Sequence, residues 1–129
     1  MDTTTGYPVV HFEIGCKDLE STTRFFTGIF GWTATPAPYS NNLQTNSGTG
    51  IDGHIVSLGH EPHQYVTFYI KVDDIPGMLT KIADAGGKKI IGPFPLPNGQ
   101  SFAWFSDPGG NAVGLLSGTP NPPKPANTP

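Results

Sequence analysis

A single cysteine, Cys16, stands among 129 residues, so no disulfide can staple the chain internally. Its stability must come from a packed core, and the expected compartment is the reducing cytoplasm. Charge is also scarce. Asp, Glu, Lys and Arg make up only 13% of the residues, against about a quarter in an average domain, so Ser, Thr, Asn and Gln must supply most of the polar surface. A net charge of −3 leaves no basic stripe for nucleic acid or for an anionic membrane. No apolar run approaches the ~20 residues needed to span a bilayer, and no apolar signal segment opens the chain. The CxxC, Gly-x-Ser-x-Gly and Gly-Lys-Ser/Thr patterns are all missing. Their absence removes thiol-redox, nucleophile-elbow and P-loop chemistry from consideration. What remains is a small-molecule binder, an enzyme of another kind, or a self-associating structural domain.

The most informative stretch is His11 to Trp32, HFEIGCKDLESTTRFFTGIFGW. Val10, Phe12 and Ile14 alternate with Val9, His11 and Glu13, the period of a half-buried strand. Asp18 then suits a helix N-cap, and Glu20 suits the positive end of the helix dipole. Leu19, Thr22, Phe26, Ile29 and Phe30 fall on one helical face, and Gly31 stands where a left-handed C-cap belongs. If the helix covers the apolar strand face, His11 and Glu13 point the other way.

The same unit occurs twice. A shift of 56 residues lays Phe12 on Phe68, Ile14 on Ile70, Asp18 on Asp74, Leu19 on Ile75, Phe26 on Ile82 and Gly31 on Gly87. Strand alternation, cap, helical face and C-cap are preserved together, which composition alone does not produce. The segments HFEI…D-LE…FF…IFGW, YVTFYIKVDDI…GG and SFAWFSDPGGNAVGLL resemble the vicinal oxygen chelate superfamily over residues 8–117. That superfamily includes glyoxalase I, bleomycin-resistance proteins and extradiol dioxygenases. The expected fold is α+β: two βαβββ repeat units forming a curved mixed sheet around a concave cup.

The expected organisation is a flexible N-terminus at 1–7, one domain at 8–117 with units at about 8–58 and 65–117, and a Pro-rich disordered tail at 118–129. Within the first unit, Trp32 to Tyr39 reads as a strand weakened by Pro36 and Pro38, Asn41-Asn42 as a turn, and Leu43 to Asn46 and Ile55 to Leu58 as strands. Residues 59–64 read as the link. In the second unit Tyr65 to Val72 is a strand, and Asp74 caps a helix with Ile75, Met78, Leu79 and Ile82 on its buried stripe. Lys88 to Gly92, Ser101 to Ser106 and Asn111 to Leu116 complete it, with a turn at Pro97-Asn98-Gly99.

The resemblance also implies where a site lies. Metal-dependent members take ligands from the first and last strands of each unit, which here are His11, Ser57, Thr67 and Gly114. A glutamate is usual where Gly114 stands. Hydroxyls are weak neutral ligands, and one imidazole falls short of the roughly three protein ligands that a zinc or iron centre needs. The usual metal centre and any other cofactor are therefore expected to be absent. Glu13 lies two residues along the strand from His11, about 7 Å away at the backbone and on the same face. The two could share a divalent metal or act as an acid–base pair. The favoured reading is that they hydrogen-bond to each other and to Tyr69 or Lys71.

Four other residues are weighed against the cup. His54, by parity with Ser57, falls on the outer face. His60 and His63 read as a solvated loop, and Cys16 as small-residue packing at a strand end. Tyr65, Thr67 and Tyr69 share the concave face. Alternation sets Phe102 and Trp104 against Ala103 and Phe105 and leaves open which pair faces inward. The ligand-binding candidates are thus His11, Glu13, Ser57, Thr67, Tyr69, Trp104 and Gly114. The expected function is a glyoxalase/bleomycin-resistance-like protein binding a small organic molecule, as a cytoplasmic homodimer. The alternative is a metal-dependent lyase, isomerase or dioxygenase using His11 and Glu13. Whether the chain is an enzyme stays open at this level.

Overall fold

The structure, a computed structural model, describes residues 6–121. The expectations for residues 1–5 and 122–129 therefore lie outside the described residues. Ten elements follow in order: β1 (Val9–Gly15), α1 (Leu19–Phe30), β2 (Thr33–Ala37), β3 (Ser40–Gln44), β4 (Gly53–Val56), β5 (Tyr65–Lys71), α2 (Ile75–Asp84), β6 (Lys88–Pro95), β7 (Ser101–Ser106) and β8 (Ala112–Ser117). This is an α+β fold in which the βαβββ order occurs twice, with eight strands in a mixed sheet. The chain divides into two compact units, one spanning Pro8–Tyr69 and the other Ile70 onward with the residues before Pro8. The division falls within β5.

In the first unit the strand order is β2-β3-β4-β1-β5. β1 and β4 run parallel, with Glu13 opposite His54 and Ile14 opposite Ile55. β2 and β3 form an antiparallel hairpin whose register pairs Ala37 with Ser40. Cys16, Leu43 and Ile55 are buried, with Phe12, Ile14, Leu19, Phe26, Trp32 and Ala34 packed against them. α1 begins where Asp18 accepts a hydrogen bond from the Ser21 N–H at 3.2 Å and stops at Gly31, whose φ of 73° only glycine adopts readily.

Three expectations for this unit need correcting. Ile29 and Phe30 are 65% and 55% exposed, so they do not belong to the buried stripe. At about 100° per residue Ile29 stands about 60° round the axis from Phe26, off the line of contact. The Phe30 ring lies instead against Phe26 and Trp32, at centroid distances of 6.0 and 5.6 Å. The β2–β3 turn sits at Pro38-Tyr39, where Tyr39 takes a left-handed φ of 66°. Asn41 is thereby drawn into β3, and its side-chain amide donates to Thr23 Oγ1 at 3.0 Å. β4, finally, ends at Val56, so Ser57 lies beyond the strand.

In the second unit the end of β5 is followed by β8, β7 and β6. The Val72 N–H donates to the Leu116 carbonyl at 2.9 Å where the chain leaves β5. Asp74 caps α2 by accepting from the Gly77 N–H at 3.2 Å, with Pro76 in the first turn, where a missing N–H costs nothing. Val72, Ile75, Ala103 and Leu115 form the core, and Ile70, Met78, Leu79, Ile82 and Phe105 pack on it. Ala103 and Phe105 therefore belong to the α2 side of β7. Phe102 and Trp104 occupy the other side by strand alternation.

Candidate functional site

The polar cluster is built on β1 of the first unit. Alternation places Phe12 and Ile14 in the α1 core, so His11 and Glu13 occupy the opposite face. Glu13 is only 3% exposed, which would be costly for a carboxylate without partners. It has three. Tyr69 Oη donates to Oε1 at 2.6 Å, Tyr65 Oη donates to Oε2, and His54 Nε2 lies 3.1 Å from Oε1. Tyr65 and Tyr69 reach it because they are two pleats apart on one face of β5.

Gly15 makes room for this arrangement. A Cβ there would run into the Tyr65 ring and stand 2.7 Å from the His63 carbonyl oxygen.

His54 extends the cluster. Its other ring nitrogen, Nδ1, is 2.7 Å from His11 Nε2, and the two rings are tilted with centroids 4.9 Å apart. The edge of Tyr69 meets His11 at 5.7 Å. Glu13, His54 and His11 thus form one hydrogen-bonded line across the first unit. With Glu13 ionised, the carboxylate can only accept, so His54 presents Nε2–H to it. A neutral His54 then offers a lone pair at Nδ1, and His11 donates Nε2–H. Among the described residues no hydrogen bond is made to His11 Nδ1, which is left as the line's outer end.

Electrostatics follow from burial and these partners. Burial pushes the Glu13 carboxyl up, but the hydrogen bond and charge of His54 and the two tyrosine hydroxyls outweigh it and hold Glu13 below its usual range. His11 is lowered to about 4, first by burial and then by His54, against smaller opposing effects of Glu13 and Asp52. It is neutral at physiological pH. Burial and the adjacent Glu13 carboxylate raise Tyr65, so its phenol stays protonated as a donor.

Of the residues singled out in the sequence, His11, Glu13 and Tyr69 come together here, and Thr67 is buried between the two tyrosines on the same face of β5. Ser57 does not join them. Its hydroxyl donates to the Lys17 carbonyl at 3.2 Å. His54 takes the place expected for Ser57, and the outer-face assignment of His54 is wrong for the same reason: β4 ends two residues earlier than read. Ile55 in the core forces His54 onto the Glu13 face, and the Glu13–His54 register sets them side by side. Trp104 and Gly114 are cross-strand partners on β7 and β8 of the second unit. His63 is partly buried, not solvated, and its Nδ1 has no partner among the described residues. A groove of about 570 Å³ opens along α1, lined by Leu19, Thr23, Thr27, Trp32 and Asn41 among others, and none of the Glu13 cluster lines it. Its titratable lining is the exposed Glu20–Arg24 ion pair at 2.7 Å, whereas the cluster holds a buried carboxylate linked to two imidazoles.

A repeated βαβββ unit with polar groups concentrated on its first and last strands defines the vicinal oxygen chelate class. The model of the Glyoxalase/Bleomycin resistance protein/Dioxygenase superfamily matches residues 9–115, and the chain belongs to that superfamily. A glyoxylase-like domain-containing protein of Didymella fabae is 31% identical over 114 residues, covering 81% of this chain and 89% of that protein. The anthracycline biosynthesis protein DnrV of Streptomyces peucetius is 29% identical over 122 residues, covering 81% of this chain. The chain spans only 44% of the length of that relative. Among solved structures, a variant of Streptomyces coelicolor methylmalonyl-CoA epimerase in complex with 2-nitronate-propionyl-CoA superposes with a TM-score of 0.62 at 16% identity, covering 90% of this chain and 98% of that one. A superfamily member from Vibrio splendidus 12B01 gives 0.62 at 18%, covering 87% and 98%. These structural likenesses concern the fold.

Many members of this class work through a divalent metal, and the donor set here does not fit one. His11 Nε2 and His54 Nδ1 face each other at 2.7 Å and are engaged with one another, and both Glu13 oxygens are already hydrogen-bond acceptors. Among the described residues no group of three His, Cys, Asp or Glu side chains is arranged to hold a metal ion.

Proposed function

We propose that this chain binds a small organic molecule against the His11 end of the Glu13 cluster, without the metal centre used by many of its relatives. The observation that supports this reading is the fully partnered, buried Glu13. A carboxylate buried in a sheet face and satisfied by two tyrosines and a histidine is a rigid, preorganised polar platform. Its outermost group, His11, is partly exposed, and among the described residues no hydrogen bond is made to its Nδ1. Ligand sites are usually apolar surfaces with a few convergent polar groups of this kind. Superfamily membership and relatives named for anthracycline biosynthesis and glyoxylase-like domains fit a small organic ligand. The metal-dependent lyase, isomerase or dioxygenase alternative has no comparable support, since its ligands would have to break the His11–His54–Glu13 line.

The test is a ligand screen by NMR on protein treated with chelator, with drug-sized aromatic and carbonyl compounds as probes. Binding that shifts the His11 ring signals in the chelated protein, and is lost in His11→Ala, is the expected result. Binding that appears only after zinc, iron, manganese or nickel is restored would overturn the metal-free reading.

A further inference from the structure

We propose that the His11–His54–Glu13 line is a proton relay, and that the molecule it serves presents an acidic hydroxyl, phenolic or enolic, to His11 Nδ1. This rests on the reading of the His11 end as the ligand site; it adds the ligand's chemistry and the fate of its proton. Glu13 is fixed as an acceptor by Tyr65 and Tyr69, which commits His54 Nε2–H to it. In the state with His54 neutral, its Nδ1 accepts from His11 Nε2–H across 2.7 Å. In that state both histidine bonds run from the buried end outward, and His11 Nδ1 keeps its lone pair. A lone pair calls for a donor on the ligand. A carboxylate ligand would find no donor there and would approach the negative charge of Glu13. A hydroxyl fits.

The transfer balances. The ligand's O–H bond breaks, its electron pair stays on oxygen, and the proton binds His11 Nδ1. The proton on His11 Nε2 passes to His54 Nδ1. His54, now protonated on both nitrogens, is an imidazolium held 3.1 Å from the Glu13 carboxylate. Two protons have each moved one step, a net transfer of one from the ligand to His54; the site and ligand together keep their overall charge, and the reverse path returns the proton. Glu13 itself takes none, because its two tyrosine donors keep it in the accepting form. A line that only braced the fold would not ionise a bound hydroxyl, and that difference can be measured.

The probe is 4-nitrophenol, whose phenol and phenolate absorb at separate wavelengths, titrated with the full chain at a pH well below the probe's own pKa. Bound probe is expected to show at least about tenfold more phenolate relative to phenol than free probe, a shift of one pKa unit or more. His54→Asn should still bind it but leave it as the phenol. Probe bound as the neutral phenol by the parent chain, or equally ionised by folded His54→Asn, would overturn the relay while leaving the binding reading intact. Failure to bind up to millimolar concentration would overturn the hydroxyl ligand, and the wider NMR screen would then decide the binding reading separately. Should His54→Asn fail to fold, ¹⁵N shifts of the parent chain with probe bound decide the matter. His54 must carry protons on both nitrogens, and a singly protonated His54 would overturn the proposal.

Discussion

Glu13 is the residue on which the site turns, and Gly15 is the residue that lets it work. Two positions beyond Glu13 on β1, Gly15 leaves open the space through which the Tyr65 ring passes to reach the carboxylate. Gly15→Ala would place a methyl group against that ring and the His63 backbone. We expect a loss of ~1–3 kcal/mol in denaturant unfolding, as for other overpacked sites, and loss of the Tyr65–Glu13 bond. An unchanged midpoint would mean that the ring takes another course. His11, Glu13 and Tyr69 were legible as residues of one polar face because strand alternation needs only local sequence. His54 was not. Its side depends on where β4 ends, and the parallel pairing of β4 with β1 sets that end, forty residues away in sequence.

At the scale of elements, the two helices were the clearest part of the sequence. Asp18 and Asp74 stand at the N-caps because each carboxylate takes an N–H that the first turn leaves unsatisfied. Asp74→Ala removes the acceptor for Gly77 N–H and should cost about 1 kcal/mol in thermal or chemical unfolding. A change within experimental error would show that water caps α2 equally well. The strands after each helix were less legible. Pro36, Pro38 and the asparagine pair all signal a turn, and local propensity does not choose among them. The pairing of Ala37 with Ser40 does, by placing Tyr39 in the left-handed conformation. The buried stripe of α1 was read too wide for a related reason: periodicity gives a direction round the helix but not the breadth of the surface beneath it.

At the scale of the whole molecule, the repeat was visible as matched caps and alternations, and the superfamily followed from it. What the repeat did not carry was the chemistry, since one fold hosts many sites. Here the first unit holds a linked carboxylate and two imidazoles where metal-dependent relatives need separate ligands. That substitution is the core of the account. It is tested most directly by following the histidine ring signals by NMR through a pH titration of the chelated protein. Burial and the neighbouring His54, which outweigh the opposing charges of Glu13 and Asp52, should keep His11 neutral down to about pH 4, with its proton on Nε2. His54 should carry its proton on Nε2 when neutral, facing Glu13. A His11 that titrates near the ordinary 6.5, or that holds its proton on Nδ1 while His54 turns Nε2 away from Glu13, would contradict the arrangement on which the function rests.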